Sequence, residues 1–180
     1  MKTLVPIANG SEEMEAVIII DTLRRAEFDV TVASLTPGTI EASRGVKLVG
    51  DTTWDQIDPS EFDLLLLPGG FGGTMAFCEH AGVQQALKDF NEKKKWVGCI
   101  CAAALALNEA GILAGKTFTC YPGVEEKLPA DAQPVDEAVV VDGHLITSQG
   151  PGTAFEFALK VIAECGSPNL AADVRAGLLL

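Results

Sequence analysis

The residues best placed to do chemistry lie in the run Val97-Gly98-Cys99-Ile100-Cys101-Ala102-Ala103-Ala104. An apolar stretch that reads as a strand ends on a cysteine, and small residues then open a helix. A nucleophile on a sharp strand-to-helix turn needs small neighbours, so that the backbone can strain and the sulfur can reach an opening. A helix N-terminus lowers a thiol's pKa, and the thiolate is the strong nucleophile. On pattern alone, a catalytic or redox role for Cys101 balances evenly against burial as a small core residue, the common fate of a free cysteine. Cys99, two residues earlier on the same strand, is expected inside the sheet. Cys78, Cys120 and Cys165 read as packing residues.

Glu15 is the second candidate. Glu12, Glu13 and Glu15 crowd a helix start, where dipole complementarity on a solvated face explains most acids. Glu15 sits one turn in, from where it can point across the carboxyl end of the first strand towards Cys101. A carboxylate and a thiolate in contact repel, so one must hold a proton, and a partly buried Glu has a raised pKa. A proton shared across such a pair suits a general acid/base. Pro68-Gly69-Gly70 is either a plain turn or a site where backbone N–H groups join that of Ala102 in an oxyanion hole. Gly150-Pro151-Gly152 either starts a helix or walls a pocket. His80 and His144 fall in a loop and a hairpin turn and read as solvated; Trp54 and Trp96 read as packing.

Other chemistries lack their residues. There is no GxGxxG after the first strand and no GxxxxGK[ST], so no nucleotide cofactor is expected. Cys99-x-Cys101 is too tight for zinc spacing, and no metal is expected.

The elements that must position these groups alternate. Strand-like runs cover residues 4–8, 30–34, 63–67 and 96–100, and a pair at 138–141 and 145–147 flanks the turn Asp142-Gly143-His144. Helical spacing predicts helices from Ser11, as N-cap, to Arg25, then over 81–95, 102–109, 155–164 and 170–176. Residues 36–50 read as an irregular surface hairpin. This alternation implies βαβ units, a mostly parallel sheet with helices on both faces, and ligands beyond the carboxyl ends of the strands. Residues 1–180 read as one domain without repeats or linkers.

Composition fits. Thirteen basic against 25 acidic residues in 180 give a formal charge of −12, which disfavours a nucleic-acid partner. The longest uncharged apolar run is too short for a membrane span. Five cysteines without a CxxC pair, and no signal-peptide pattern at the start, point to a reducing compartment. The cytoplasm is expected, or an organelle such as a plastid if a transit peptide has been removed.

Taken together, Gly10-Ser-Glu-Glu-Met-Glu15, Ser43-Arg44, Leu67-Pro-Gly-Gly70, Cys99-Ile-Cys101-Ala102 and Thr147-Ser-Gln-Gly-Pro-Gly-Thr153 resemble the ThiJ/PfpI superfamily, and within it the DJ-1 group. The resemblance spans nearly the whole chain. It implies a flavodoxin-like three-layer α/β sandwich that forms a homodimer. It also implies an oxidation-sensitive nucleophile at Cys101, a protonated partner at Glu15 and oxyanion donors around Gly69, Gly70 and Ala102. Arg25 and Arg44 match positions near the site or the dimer interface in relatives; Tyr121, Gly150 and Pro151 are pocket candidates. Many relatives carry His-Pro where this chain has Tyr121-Pro122, and Tyr is a poor base near neutral pH. Ala102 stands where the protease-like branch has His, which argues against peptidase activity. The activity implied is a glutathione-independent glyoxalase acting on small reactive aldehydes, with deglycase activity as an extension. The alternative is a non-enzymatic redox sensor or chaperone acting through oxidation of Cys101 to the sulfinic acid.

Overall fold

The structure, a computed structural model, describes residues 1–132 and 134–180. In chain order the elements are β1 (Lys2–Ile7), α1 (Glu13–Arg25), β2 (Asp29–Ser34), β3 (Thr39–Glu41), β4 (Lys47–Val49), β5 (Thr52–Thr53), β6 (Leu64–Leu67), α2 (Phe71–Glu79), α3 (Ala81–Glu92), β7 (Trp96–Ile100), α4 (Ala104–Glu109), β8 (Val139–Asp142), β9 (Leu145–Ser148), α5 (Ala154–Cys165) and α6 (Pro168–Gly177). Seven strands form one sheet in the order β5-β2-β1-β6-β7-β9-β8, parallel except for β8. On one face α1 packs on α5 and α5 on α6; on the other, α2, α3 and α4 pack together. This is the three-layer sandwich expected. The hairpin expected over 36–50 is the separate antiparallel pair of β3 and β4.

The centre of the sheet follows from burial on both faces. The four leucines of β6 are fully inaccessible, as strands covered by helices on either side require. β6 pairs with β7 in register Leu67 to Cys99, and β7 pairs with β9 in register Ile100 to Ser148. The carboxyl ends of β1, β6 and β7 therefore finish side by side, and the loops that leave them meet over one edge.

Four local differences from the sequence reading have physical causes. The N-cap of α1 is Glu12, whose carboxylate accepts the Glu15 N–H at 2.7 Å. Ser11 turns inward instead, its Oγ accepting from the Ala8 N–H at 3.0 Å. The helix α2 lies in a Gly-Gly stretch without apolar periodicity. Its glycines serve close approach, since a Cβ on Gly73 would run into Ser11. The helix expected over 102–109 begins as a 3-10 turn, Cys101–Ala103, before α4. The two histidines are structural: His80 caps α3 by accepting the Val83 N–H and lies edge-on to Trp54, and His144 shares a hydrogen bond with Asn91. No helix among the described residues is long and apolar enough to cross a membrane.

Candidate active site

Cys101 stands at the turn from β7 with φ of 63°, one of four non-glycine residues with positive φ among the described residues. The left-handed region costs an L-residue with a Cβ on the order of 1 kcal/mol, and such strain recurs where a side chain must be aimed. The residue is nearly enclosed, 9 % exposed. The backbone N–H groups of Gly70 and Ala102 both point at the thiol. The expected oxyanion donors are thus grouped around the sulfur.

The second side of the niche is Glu15, fully buried one turn into α1. Its carboxyl contacts the Cys101 thiol. Gly69 does not join the oxyanion donors as expected: its N–H donates to Glu15 Oε2 at 2.7 Å. Oε1 is buried without a hydrogen-bond partner among the described residues, which leaves it as the oxygen to carry a proton. Gly69 is also the only residue type that fits. A Cβ there would stand 2.5 Å from Cys101 Cβ and 2.7 Å from Glu15 Oε2. The loops are bound to one another by the Glu12 N–H to Gly69 carbonyl bond at 2.9 Å, which ties the start of α1 to the β6–α2 turn.

Burial sets the protonation. It raises Glu15 to about 7; the Gly69 N–H and Cys101 thiol pull it down, and the Glu12 charge pushes it up. The Cys101 thiol is raised to about 12, first by burial and then by the Glu15 charge, against the pull of the Gly70 and Ala102 N–H groups. The sequence reading expected a helix N-terminus to depress this thiol. The following helix starts only at Ala104 and is six residues long, and burial outweighs it. The site therefore has room for one anion across two groups, and above about pH 7 that charge falls on Glu15 while the thiol keeps its proton.

The pocket candidates divide. Tyr121 is half exposed, and its N–H donates to the Cys101 carbonyl at 3.3 Å. Its ring lies against Gly150, and with Pro122, Pro151 and Thr153 it lines a cavity of about 170 Å³. Tyr121, Gly150 and Pro151 thus share one wall, tied to Cys101 through the Tyr121 backbone. The arginines stay outside. Arg25 pairs with Asp21 at the far end of α1, ten residues or roughly 15 Å from Glu15. The Arg44 guanidinium is exposed, and its backbone N–H, with the Ser43 hydroxyl, holds the Glu13 carboxylate. Glu12, read in the sequence as one of the acids of a solvated helix start, is the cap that holds the Glu15 N–H; its three-residue spacing to Glu15, the spacing of a helix cap, was the available signal. The described residues contain no cluster of three or more metal-ligating side chains.

The DJ-1/PfpI family model matches residues 1–164. The chain is 48% identical over 161 residues to Protein DJ-1 homolog B of Arabidopsis thaliana, covering 88% of this chain and 36% of that protein. It thus spans about a third of that relative's length. It is 35% identical over 156 residues to Deglycase PH1704 of Pyrococcus horikoshii, covering 86% of this chain and 93% of that protein. The crystal structure of Drosophila melanogaster DJ-1beta superposes with a TM-score of 0.95 at 41% identity, covering all of this chain and 99% of that one.

The raised carboxyl has a stability consequence. Between the ordinary Glu value of 4.5 and about 7, native Glu15 binds a proton that the unfolded chain has lost. Stability therefore falls as pH rises through that window. Glu15→Gln cannot ionise and keeps an acceptor for Gly69. It should match wild type in urea unfolding near pH 4.5 and exceed it by on the order of 3 kcal/mol above pH 7. Equal stabilities at both pH values would mean that Glu15 is not raised.

Proposed function

The chain belongs to the DJ-1/PfpI family, and on that premise we propose that it is a glutathione-independent glyoxalase, converting methylglyoxal or glyoxal to lactate or glycolate. The observation that carries this reading is the buried contact of Glu15 with Cys101, beside two backbone N–H groups aimed at the sulfur.

Cys101 Sγ attacks the aldehyde carbon as its proton passes to Glu15, and the carbonyl oxygen becomes a hemithioacetal alkoxide. Gly70 and Ala102 N–H groups stabilise that charge without reorganising. Glu15 hands the thiol's proton to the alkoxide and, as a carboxylate again, takes the proton from the former aldehyde carbon. The enediolate regains it from Glu15 at the neighbouring carbon while the hydroxyl proton moves from the first oxygen to the second, leaving a thioester. Water hydrolyses the thioester, releasing the hydroxy acid and restoring the thiol. Small aldehydes fit so enclosed a niche, and the same attack on an aldehyde adduct of an amine or thiol would give deglycase activity. The five free cysteines suit a reducing cytoplasm.

We also propose a homodimer. Met14 and Val17 on α1 and Val46 and Val49 at the β3–β4 hairpin are 48–73 % exposed, an apolar face that a second copy would cover. Sedimentation at micromolar concentration should give twice the 18.9 kDa chain mass. A monomer mass would contradict the dimer.

Methylglyoxal turnover should proceed without glutathione and rise with pH through about 7, as Glu15 ionises and becomes a base. Cys101→Ser should lose at least about a thousandfold, since its hydroxyl is a far poorer nucleophile. Tyr121→Phe should stay within about tenfold, or 1.4 kcal/mol, because only the Tyr121 backbone holds the nucleophile's turn. A folded wild type without turnover would leave non-enzymatic sensing through Cys101 as the reading.

A further inference from the structure

Two side chains next to the niche have no part in the attack on an aldehyde. Phe71 directly follows Gly70, whose N–H points at the Cys101 thiol, yet this large apolar side chain is exposed. One peptide unit separates it from that N–H, so its Cα stands no more than about 9 Å from the sulfur. Lys127 is the second. Its ammonium lies over the Phe71 ring, 5.7 Å from the centroid.

Lys127 is tied to the nucleophile's turn from the other side. The Tyr121 N–H donates to the Cys101 carbonyl at 3.3 Å, the Val124 N–H to the Tyr121 carbonyl at 3.0 Å, and the Lys127 N–H to the Val124 carbonyl at 2.9 Å. The β6–α2 turn thus supplies an aromatic ring, and the 121–127 segment supplies the cation that rests on it. Glu125 and Glu126 precede Lys127 in a chain of charge −12, yet among the described residues its ammonium pairs with no carboxylate. Glu125 is engaged elsewhere, accepting the Gly123 N–H at 2.7 Å. An ammonium seated on an aromatic face keeps donors for an incoming anion. In a chain whose net charge repels anions, one such cation beside the niche discriminates between substrates.

The attacked carbonyl oxygen faces the Gly70 and Ala102 N–H groups, so the rest of a longer substrate runs out past Phe71. Methylglyoxal ends in a methyl group and stops short. A carboxylate four bonds from the attacked carbon lies roughly 5 Å farther out. Resting on the glyoxalase reading, we propose that Lys127, seated on Phe71, is a specificity-determining residue that selects 2-oxoaldehydes ending in a carboxylate. The bonds made and broken are those already described. The sulfur adds to the aldehyde carbon, a proton moves to the neighbouring carbon, and water cleaves the thioester. 4,5-Dioxopentanoate and one water thereby become 2-hydroxyglutarate, with the remote carboxylate intact. Lys127 touches only that carboxylate, in ground and transition states alike, so its contribution falls on KM.

The test is glutathione-free turnover by the full chain of 4,5-dioxopentanoate and of its uncharged five-carbon counterpart, 2-oxopentanal. Wild type should show the higher kcat/KM for the carboxylate substrate, and added salt should lower that preference. Lys127→Gln should cut the ratio of the two kcat/KM values by about tenfold or more, through KM for the carboxylate substrate. Lys127→Arg should keep most of the ratio. A ratio that Lys127→Gln leaves unmoved, in a protein that still turns over 2-oxopentanal, overturns this proposal alone. A folded wild type that turns over neither aldehyde, nor methylglyoxal, overturns the glyoxalase reading and this proposal with it.

Discussion

One buried contact organises the rest: a carboxyl and a thiol enclosed together, with room for one negative charge. Water would dissolve this constraint by solvating both anions. Burial makes it binding, because each charge is costly there and the second is costlier beside the first. Glu15 and Cys101 accordingly share room for one charge rather than two. The backbone N–H groups around them take different shares, Gly69 serving the carboxyl and Gly70 and Ala102 the sulfur.

The fold meets that constraint by ending three parallel strands at one level. β1 leads into α1 and Glu15, β6 into the glycine turn, and β7 into Cys101. The groups then meet only if the loops pass closely, and side chains at Gly69 or Gly73 would hold them apart. A positive φ at Cys101 and a raised carboxyl are local costs. The inaccessible leucines of β6 and the apolar residues of β7 supply stability a few ångströms away.

Much of this was legible in the residues. Apolar runs ending in glycine marked the strands, and alternation with helices fixed the layering and the edge where a site belongs. The cysteine between an apolar run and three alanines marked the strained turn. What was not legible depended on approach rather than pattern. Helix α2 hides because its glycines are there to let Ser11 pass. Gly69 and Gly70 look alike in sequence, and only their orientation separates the donor to a carboxylate from the donor to a sulfur. The thiol's protonation could not be read from a helix start, since it depends on how deeply the turn sinks. Arg25 matched a family position near the site or the dimer interface, and its distance along α1 from Glu15 leaves the interface.

The most direct measurement is the titration of the Glu15 side-chain carboxyl by carbon-13 NMR, in wild type and in Cys101→Ala. A shared proton in a buried pair predicts a midpoint near 7 in wild type. It also predicts a higher midpoint in the variant, because the thiol's hydrogen bond to the carboxylate has been removed. A midpoint at the ordinary 4.5 in both proteins would contradict the account.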